Sequence, residues 1–256
     1  MMSHVIYQHA DVVVDRSNEH NHRVRATAPI AAGELLMLEH VVSSSHSEAY
    51  IMTCVDDDAV LRESLAPRHN AGNDDDDDIS AITRLVKKCR NNMFMLGQHY
   101  KLGDAVSRFN HACAPNVVVH GLDLVTPNND QLSIGVIVAL SRLPIAAGAE
   151  LFVCYCSASG HDDNEHWGFR CNCTVDRVAM AAQLQQDTNH YYALQRSVVL
   201  DYLRSYCAAQ AESRRTMLSQ ICATCDVSRD AAVARIDEAL ELFVEALSPP
   251  PSPPDD

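Results

Sequence analysis

The stretch RFNHACAPNVVVH, residues 108–120, decides how the rest of the chain is interpreted. It places Asn, His and Cys within four residues of one another, and Pro115 then prevents a helix from continuing. Three valines follow, and β-branched side chains favour the pleated surface of a strand. The pattern predicts a sharp turn that presents polar and sulfur side chains directly before a strand.

Strand-forming segments lie on both sides of this turn. Residues 5–14 and 35–42 are β-branched and aliphatic runs, and Pro29 and Gly33 lie between them as turn residues, which predicts a small antiparallel sheet. VVVHGLDLV and LSIGVIVAL predict two further strands joined through PNND, and AELFVCYC predicts another. The middle of the chain is therefore predicted to be sheet.

The remaining periodicity is helical. ISAITRLVKKCRNNMFML, residues 79–96, carries apolar side chains at three- and four-residue intervals, which predicts one amphipathic helix. Residues 43–78 lose this pattern and end in the acidic run Asp74 to Asp78, which predicts an exposed insert. After Cys173, four segments with apolar stripes predict three or four short helices packed together, and PPPSPPDD predicts a disordered tail.

Composition limits the cellular context and the partners. The chain has 256 residues and ten cysteines, and its opening residues contain neither a signal peptide pattern nor a membrane-spanning run. We expect an intracellular protein, of nucleus or cytoplasm, whose cysteines are buried, metal-bound or reactive. The formal net charge of −14 opposes direct nucleic-acid binding and favours a basic protein partner.

Three segments, in this order, resemble signatures of SET-domain protein lysine methyltransferases. RFNHACAPN is similar to NHSCxPN, GAELFVCY is similar to GEELxxxY, and CNC at residues 171–173 is similar to the first half of the post-SET zinc motif. NHRVRATAPIAAGELL resembles the N-terminal segment of the family. RNNMFML and the helical C-terminal region resemble the SET and MYND subgroup, although residues 43–78 lack the cysteines and histidines of a MYND finger.

The resemblance implies an α+β protein: a SET fold of small β-sheets with a knot-like core, followed by a helical C-terminal domain. Its parts are an N-terminal SET segment at 1–45, an insert with acidic loop and helix at 46–104, a C-terminal SET segment at 105–157, a post-SET zinc segment at 158–179, the helical domain at 180–247 and a Pro-rich tail at 248–256.

The resemblance also implies the site residues. Tyr155 matches the catalytic tyrosine, whose hydroxyl orients the amine, and Asn110 and His111 are expected to face the cofactor. The positions that match cofactor contacts are Arg25, His22, Asn92, Asn110, His111, Tyr155 and Phe169. The positions that match zinc ligands are Cys113, Cys171, Cys173 and Asp176, the last in place of a third cysteine. Otherwise the metal is lost and the two later cysteines are ordinary buried thiols.

The implied reaction is transfer of a methyl group from S-adenosylmethionine to a lysine of a histone or another basic protein. The alternative is a SET-derived binding module that has lost catalysis and recruits a partner through its helical C-terminal domain. Three departures favour this alternative: residues 21–23 replace the Gly-x-Gly pair of the family, Ala149 replaces an acidic residue, and Asp176 replaces a cysteine. Cofactor binding discriminates between the two hypotheses.

Overall fold

The computed structural model describes residues 4–16, 22–44, 93–96, 99–125, 133–155 and 175–225. These residues form strands, a short 3-10 helix and one α-helix. In chain order the elements are β1 His4–Gln8, β2 Val12–Asp15, β3 Arg23–Ala26, β4 Leu35–Ser44, β5 Met93–Leu96, β6 His99–Leu102, the 3-10 helix Val106–Arg108, β7 Asn110–His111, β8 Val117–Val125, β9 Ser133–Ser141, β10 Phe152–Val153 and α1 Arg177–Cys225.

The largest sheet has six strands and is built around β4. Its strand order is β5-β6-β4-β9-β8. The sixth strand, β1, pairs with residues 37–40 of β4, whereas β6 pairs with residues 42–44 of the same strand. β8 and β9 pair antiparallel over nine residues, from Val117 opposite Ser141 to Val125 opposite Ser133. The two strands predicted from VVVHGLDLV and LSIGVIVAL are therefore confirmed.

Two smaller sheets complete the fold. β2 and β3 form an antiparallel pair, with Val12 opposite Ala26. β7 and β10 form a parallel pair, with Asn110 opposite Phe152 and His111 opposite Val153. This parallel pair joins the NHACAPN and AELFVCYC segments, at the place where the knot-like core was expected. The predicted α+β class with small β-sheets is confirmed.

The main sheet buries apolar side chains on both faces. One cluster includes Leu36, Phe109, Ile137 and Leu151, all fully buried, and it supports the parallel pair. The other cluster joins Leu35, Leu38, Val118, Val136, Val138 and Leu140 to Val199, Leu200 and Leu203 of α1. Burial of an aliphatic side chain stabilises a fold by about 1.5–3 kcal/mol, so the second cluster holds α1 firmly on the sheet.

The C-terminal helical region differs from the prediction. Three of the four segments predicted as separate helices form one continuous helix, α1, of 49 residues. The prediction of separate packed helices is wrong for this part of the chain, because residues 177–225 contain neither glycine nor proline to stop a helix. The fourth segment, at 228–247, lies outside the described residues, as do the acidic run and the Pro-rich tail.

A second correction concerns the helix predicted for residues 79–96. Met93–Leu96 is a strand, β5, which pairs antiparallel with β6. Residues 79–92 lie outside the described residues. A run of four apolar residues suits a buried strand as well as a helix end, and only the pairing with β6 distinguishes the two.

Polar contacts fasten α1 to the turns near the parallel pair. Arg142 forms an ion pair with Asp187 of α1, with Nε 2.6 Å from Oδ2, and its Nη1 donates to the carbonyl of Pro115. Gln195 Nε2 donates to the carbonyl of Gly33 at 2.8 Å. Gly33 has a φ of 85°, a left-handed conformation that favours glycine. The helix is thus linked to the turn that carries the cysteine motif.

His120 makes the attachment of α1 sensitive to pH. Its ring stacks on Tyr192 of α1 with 4.0 Å between centroids. Burial, aided by the charge of Lys101, lowers the pKa of His120 below its ordinary value of about 6.5. At a pH between the lowered pKa of the folded state and the ordinary pKa of the unfolded state, the unfolded chain binds more protons than the folded one. The free energy of unfolding therefore falls as the pH drops below about 6.5.

We therefore expect the urea concentration at the midpoint of unfolding to decrease when the pH is lowered from about 7.5 to about 5.5, in part because of His120. His120→Phe retains a ring against Tyr192 and removes the titrating group, so its midpoint should change less over this interval. His22, whose pKa is also lowered by burial and by Arg108 and Arg16, contributes in the same direction and remains in both proteins. Equal pH dependence of the two proteins would contradict this role of His120.

Candidate active site

Asn110 begins β7 and lies where two other segments meet. Its Nδ2 donates to Oε1 of Glu150 at 2.6 Å and lies 3.4 Å from the carbonyl oxygen of His22. These three residues come from three different segments that resemble the SET family: RFNHACAPN, GAELFVCY and the N-terminal segment NHRVRATAPIAAGELL. The amide group of Asn110 is therefore held in one orientation by two acceptors, as a ligand-binding side chain requires.

Asn116, the last residue of NHACAPN, closes the turn that follows β7. Its Nδ2 donates to the carbonyl of Glu150 at 2.9 Å, and its Oδ1 accepts the N–H of Phe152 at 2.7 Å. The N–H of Ala112 donates to the carbonyl of Val153 at 3.0 Å. Side-chain amides bind backbone groups of a neighbouring segment in this way when a turn must be fixed against a short strand.

Tyr155 lies just beyond β10 and contacts both β7 and the residue that precedes β7. Its hydroxyl donates to the carbonyl oxygen of Phe109 at 2.5 Å, and its N–H donates to Nδ1 of His111 at 3.0 Å. The rings of His111 and Tyr155 lie 5.2 Å apart. A hydroxyl that donates its single hydrogen acts towards any other group as an acceptor, so this oxygen is suited to receive an amine hydrogen.

His111 lies between Tyr155 and Cys113. Its Nδ1 accepts the Tyr155 N–H, and its Nε2 lies 3.2 Å from Sγ of Cys113. The imidazole thus faces protein groups on both sides, whereas its main chain lies beside that of Val153 in the parallel pair. A cofactor contact of His111 through main-chain groups, as the resemblance implies for the adenine, remains a prediction.

His22 lies at the middle position of the replaced Gly-x-Gly pair, where the family often has a polar residue, and it belongs to a charged network. Its Nδ1 lies 2.5 Å from Nη1 of Arg108, a side chain that is only 2% exposed. Arg108 Nη2 donates to Asp104 Oδ1 at 2.8 Å, and Arg16 pairs with the other oxygen at 2.7 Å. Although burial alone would raise the pKa of Asp104, the two arginines hold it below its usual value. His22 is therefore hydrogen-bonded to an arginine that is itself held by an ion pair with Asp104.

Arg25 occupies β3 on the edge of the site. Its main chain forms an antiparallel bridge with Glu150, the acceptor of Asn110. Its side chain is 43% exposed and pairs with Asp15, with Nη2 2.7 Å from Oδ2. Arg25 is thus placed near Asn110 by the backbone, but its guanidinium is directed to Asp15. Its predicted cofactor contact remains a prediction.

Glu39 fixes the backbone that leads into the site. Its buried carboxylate accepts three backbone N–H groups, from Asp104 at 2.8 Å, Ala105 at 3.1 Å and Val106 at 2.7 Å. These residues begin the 3-10 helix that precedes Asn110. The side chain thus replaces the partners that this irregular turn lacks within the backbone.

The residues predicted to bind zinc are described only in part. Cys113 is buried and its sulfur faces His111 Nε2, an arrangement typical of a metal-bound thiolate that receives a hydrogen bond. Asp176 Oδ1 accepts the N–H groups of Val178 and Ala179 and so caps α1. Among the residues that the structure describes, no group of three metal-ligating side chains is found. The zinc site therefore stays a prediction.

Four of the predicted site residues lie outside the described part of the chain: Asn92, Phe169, Cys171 and Cys173. Five of the others, His22, Arg25, Asn110, His111 and Tyr155, lie on or beside the segments joined by the parallel pair and the bridge to Glu150. Asp176 lies at the start of α1.

Sequence reasoning did not single out the side chains that hold the site in place. Glu150 directly follows Ala149, and its carboxylate accepts the hydrogen bond of the Asn110 amide. Asn116 was visible as the end of a motif but was given no role of its own. Glu39 could have been found as the acidic residue inside the apolar run LLMLEHVV. The pairing of Asp104 with Arg108 follows helical spacing and was overlooked.

A proposed SET domain-containing protein of Acanthamoeba polyphaga mimivirus is 22% identical over 169 residues, which are 66% of this chain and 51% of that protein. The chain thus spans about half the length of this curated relative. A crystal structure of a proposed histone methyltransferase of Plasmodium falciparum covers 58% of this chain and 95% of its own, at 14% identity and a TM-score of 0.33. A structural likeness this low carries no argument about activity.

Within the described residues, no helix is both long and apolar enough to cross a membrane. The sequence profile of the SET domain matches residues 21–156, more than half of the chain. This range begins beside His22 and ends beside Tyr155, and it contains the Asn110–Glu150 contact and the parallel strand pair. The chain therefore belongs to the SET-domain family.

Proposed function

We propose that the protein is an S-adenosylmethionine-dependent methyltransferase that modifies a lysine of a basic protein, such as a histone tail. The observation that carries this proposal is the position of Tyr155. Its hydroxyl is fixed on the carbonyl of Phe109, directly before Asn110, so a candidate amine-orienting group and a candidate cofactor-binding group adjoin. The closeness of these two candidate groups along the chain at β7 supports catalysis over the binding-module alternative.

Methyl transfer to lysine makes a specific demand on the protein. When bound, S-adenosylmethionine supplies an electrophilic methyl group, and a neutral amine must lie in line with it. Burial favours the neutral amine because desolvation disfavours the ammonium form. The Tyr155 oxygen, whose hydrogen is given to Phe109, would accept an amine hydrogen and so direct the lone pair of nitrogen towards the methyl group.

Polar side chains on and beside β7 are proposed to line the cofactor site. Asn110 is proposed to bind the amino-acid part of the cofactor, and His22, hydrogen-bonded to the buried Arg108, is proposed as a polar contact of the cofactor. Arg25, His111, Asn92 and Phe169 are proposed as further contacts. The hydrogen bond of His22 to the buried Arg108 and that of Asn110 to Glu150 support cofactor binding over the binding-module alternative.

We further propose that the protein is related to the SET and MYND subgroup and that Cys113, Cys171, Cys173 and Asp176 hold one zinc ion. Asp176 uses Oδ1 to cap α1, so Oδ2 is the oxygen proposed to bind the metal. A cysteine must lose its proton to bind a metal. The contact between His111 Nε2 and the Cys113 sulfur supports the thiolate form of Cys113. The net charge of −14 supports a basic substrate.

The first test is calorimetric titration of the protein with S-adenosylmethionine, together with transfer of a labelled methyl group to purified histones. We expect one-to-one binding and label incorporation. A folded protein that binds no cofactor would overturn the proposal and support the alternative, a binding module that acts through its helical region. Binding of S-adenosylmethionine without incorporation of the labelled methyl group into histones would exclude histones as the substrate. It would leave methyl transfer to another basic protein as the proposed reaction.

Asn110→Asp tests the cofactor-binding role. The new carboxylate would lie beside Oε1 of Glu150, which is 2.6 Å from the Asn110 amide, and the two negative charges would repel. We expect the Kd for S-adenosylmethionine to rise by about tenfold or more, since a hydrogen bond to a charged group contributes about 1.5–3 kcal/mol. Calorimetry measures this change.

Two variants control for this result. Asn189→Asp makes the same chemical change on an exposed surface of α1 and should leave the Kd unchanged. Adding Glu150→Gln to Asn110→Asp removes the repulsion and should restore part of the affinity. Equal affinity of Asn110→Asp and the unmodified protein would contradict a role of Asn110 in the cofactor site.

A further inference from the structure

Arg142 directly follows β9 and joins α1 to the corner of the chain formed by Pro115 and Asn116. Its backbone N–H donates to the carbonyl of Asn116 at 2.8 Å, and its Nη1 donates to the carbonyl of Pro115 at 3.1 Å. Its Nε donates to Oδ2 of Asp187 on α1 at 2.6 Å. Both charged side chains are mostly buried, at 13% and 19% exposed, so salt screens their pairing little. One arginine therefore holds the helix and two consecutive carbonyls of the corner.

The corner in turn fixes where β10 lies. The side chain of Asn116 donates to the carbonyl of Glu150 at 2.9 Å and accepts the N–H of Phe152 at 2.7 Å. The carboxylate of Glu150 then accepts the amide of Asn110 at 2.6 Å. A continuous series of hydrogen bonds and backbone links thus runs from Asp187 on α1 to Asn110 in the candidate active site.

We propose that Arg142 is a positioning residue for the candidate active site, and that α1, through Asp187, helps to orient Asn110. An arginine presents its donors in a rigid planar fork, so the Asp187 carboxylate fixes the direction of Nη1. Loss of the carboxylate releases the fork, and the Pro115 carbonyl loses its fixed donor. The corner then moves, and Asn116 carries the movement to β10. The effect on cofactor binding rests on the proposed function, whereas the series itself exists without cofactor.

Two substitutions interrupt the series at Arg142. Asp187→Asn removes the charge that orients the guanidinium. Arg142→Lys keeps the positive charge, but it has a single terminal nitrogen in place of the two that contact Asp187 and Pro115. We expect each change to raise the Kd for S-adenosylmethionine by about fivefold or more, the lower end of typical coupling between separated sites.

Two further variants control for these changes. Arg204→Lys is matched to Arg142→Lys, because Arg204 pairs with Asp201 at 2.9 Å on the exposed surface of α1, and it should leave the Kd unchanged. Asp187→Glu retains a carboxylate for Arg142 and should restore most of the affinity that Asp187→Asn loses.

The decisive measurement is NMR of the cofactor-free protein, which reports the backbone amide of Phe152 and the side-chain amide of Asn116. We expect both signals to shift in Asp187→Asn and in Arg142→Lys and to stay in place in Arg204→Lys. Asn116→Ala cuts the series between the corner and β10. Adding Asp187→Asn to it should therefore move the Phe152 amide no further, whereas general loosening of α1 would add to the effect.

Three results would overturn the role of Arg142. The first is unmoved Phe152 and Asn116 amides in folded Asp187→Asn and Arg142→Lys, and the second is an equal response to Arg204→Lys. The third is an unchanged Kd in both variants of a protein that binds S-adenosylmethionine. If the unmodified protein binds no cofactor, the proposed methyltransferase activity fails, but the two amide signals still decide whether Arg142 positions the corner and β10.

Discussion

Tyr155→Phe is expected to lower kcat for methyl transfer by about 100-fold, since misplacement of a reacting group by about 1 Å has an effect of this size. The variant keeps the aromatic ring beside His111 and removes only the hydroxyl that contacts Phe109. The amine then loses the oxygen proposed to orient it, whereas the groups proposed to bind the cofactor stay in place. The measurement is single-turnover transfer at saturating cofactor.

The same variant should bind S-adenosylmethionine with nearly unchanged Kd and should lose only about 1 kcal/mol of stability, the usual contribution of one hydrogen bond. Tyr202→Phe is a matched control: this tyrosine of α1 packs on the ring of Tyr7, with centroids 4.6 Å apart, far from the parallel pair in sequence. Unchanged kcat in Tyr155→Phe would remove the tyrosine from the mechanism, and an equal loss in both variants would indicate general destabilisation.

Glu39→Ala is expected to lower the free energy of unfolding by on the order of 4 kcal/mol, because it leaves three backbone N–H groups without their acceptor at a buried position. The carboxylate is fully buried, so water cannot easily replace it. A protein of this kind is stable by about 5–15 kcal/mol, and the loss would therefore be a large share of the total. Urea denaturation followed by circular dichroism measures it.

Two other glutamate variants define the cause. Glu39→Gln keeps one oxygen but turns an NH₂ group towards a backbone donor, so we expect a loss smaller than that of alanine and still clearly measurable. Glu34→Ala removes a carboxylate that is 42% exposed and pairs with His9, and its effect should be no more than about 1 kcal/mol. If Glu39→Ala were no more destabilising than Glu34→Ala, the carboxylate would not support the turn.

Much of the sheet was predictable because strand signals are local. The alternation and β-branched content of VVVHGLDLV and SIGVIVALS favour β8 and β9 without reference to the rest of the chain. β5 was not predictable in this way. Its four apolar residues acquire strand conformation by pairing with β6, and a pairing of this kind is a tertiary event.

The length of α1 was misjudged for a related reason. Asp187, Thr188 and Asn189 lie between two of the segments predicted as separate helices, but polar residues end a helix only when they cap it or when the chain turns. Here the Thr188 hydroxyl donates to the carbonyl of Leu184, and Asp187 pairs with Arg142. Both side chains therefore find polar partners without interrupting the helix. Intrinsic propensity without a glycine or proline favoured continuation.

The candidate site was predictable where a motif carries it. Asn110, His111 and Tyr155 were identified from their segments, and the structure brings these segments together. Their partners were not, since the contact of Asn110 with Glu150 spans 40 residues and depends on the register of two short strands. A single sequence shows which residue types are present, but it does not show which acceptor each donor will meet.

The parallel pair of β7 and β10 has a consequence for the time at which the site comes into existence. Its partners are separated by the whole of β8 and β9, so the chain must order that long segment before Asn110 and Phe152 can meet. Pairings between distant parts of a chain form slowly, and domains fold progressively as they leave the ribosome. A growing chain can thus complete most of its main sheet while it still lacks any place for a ligand, and the site arises only when Tyr155 has emerged.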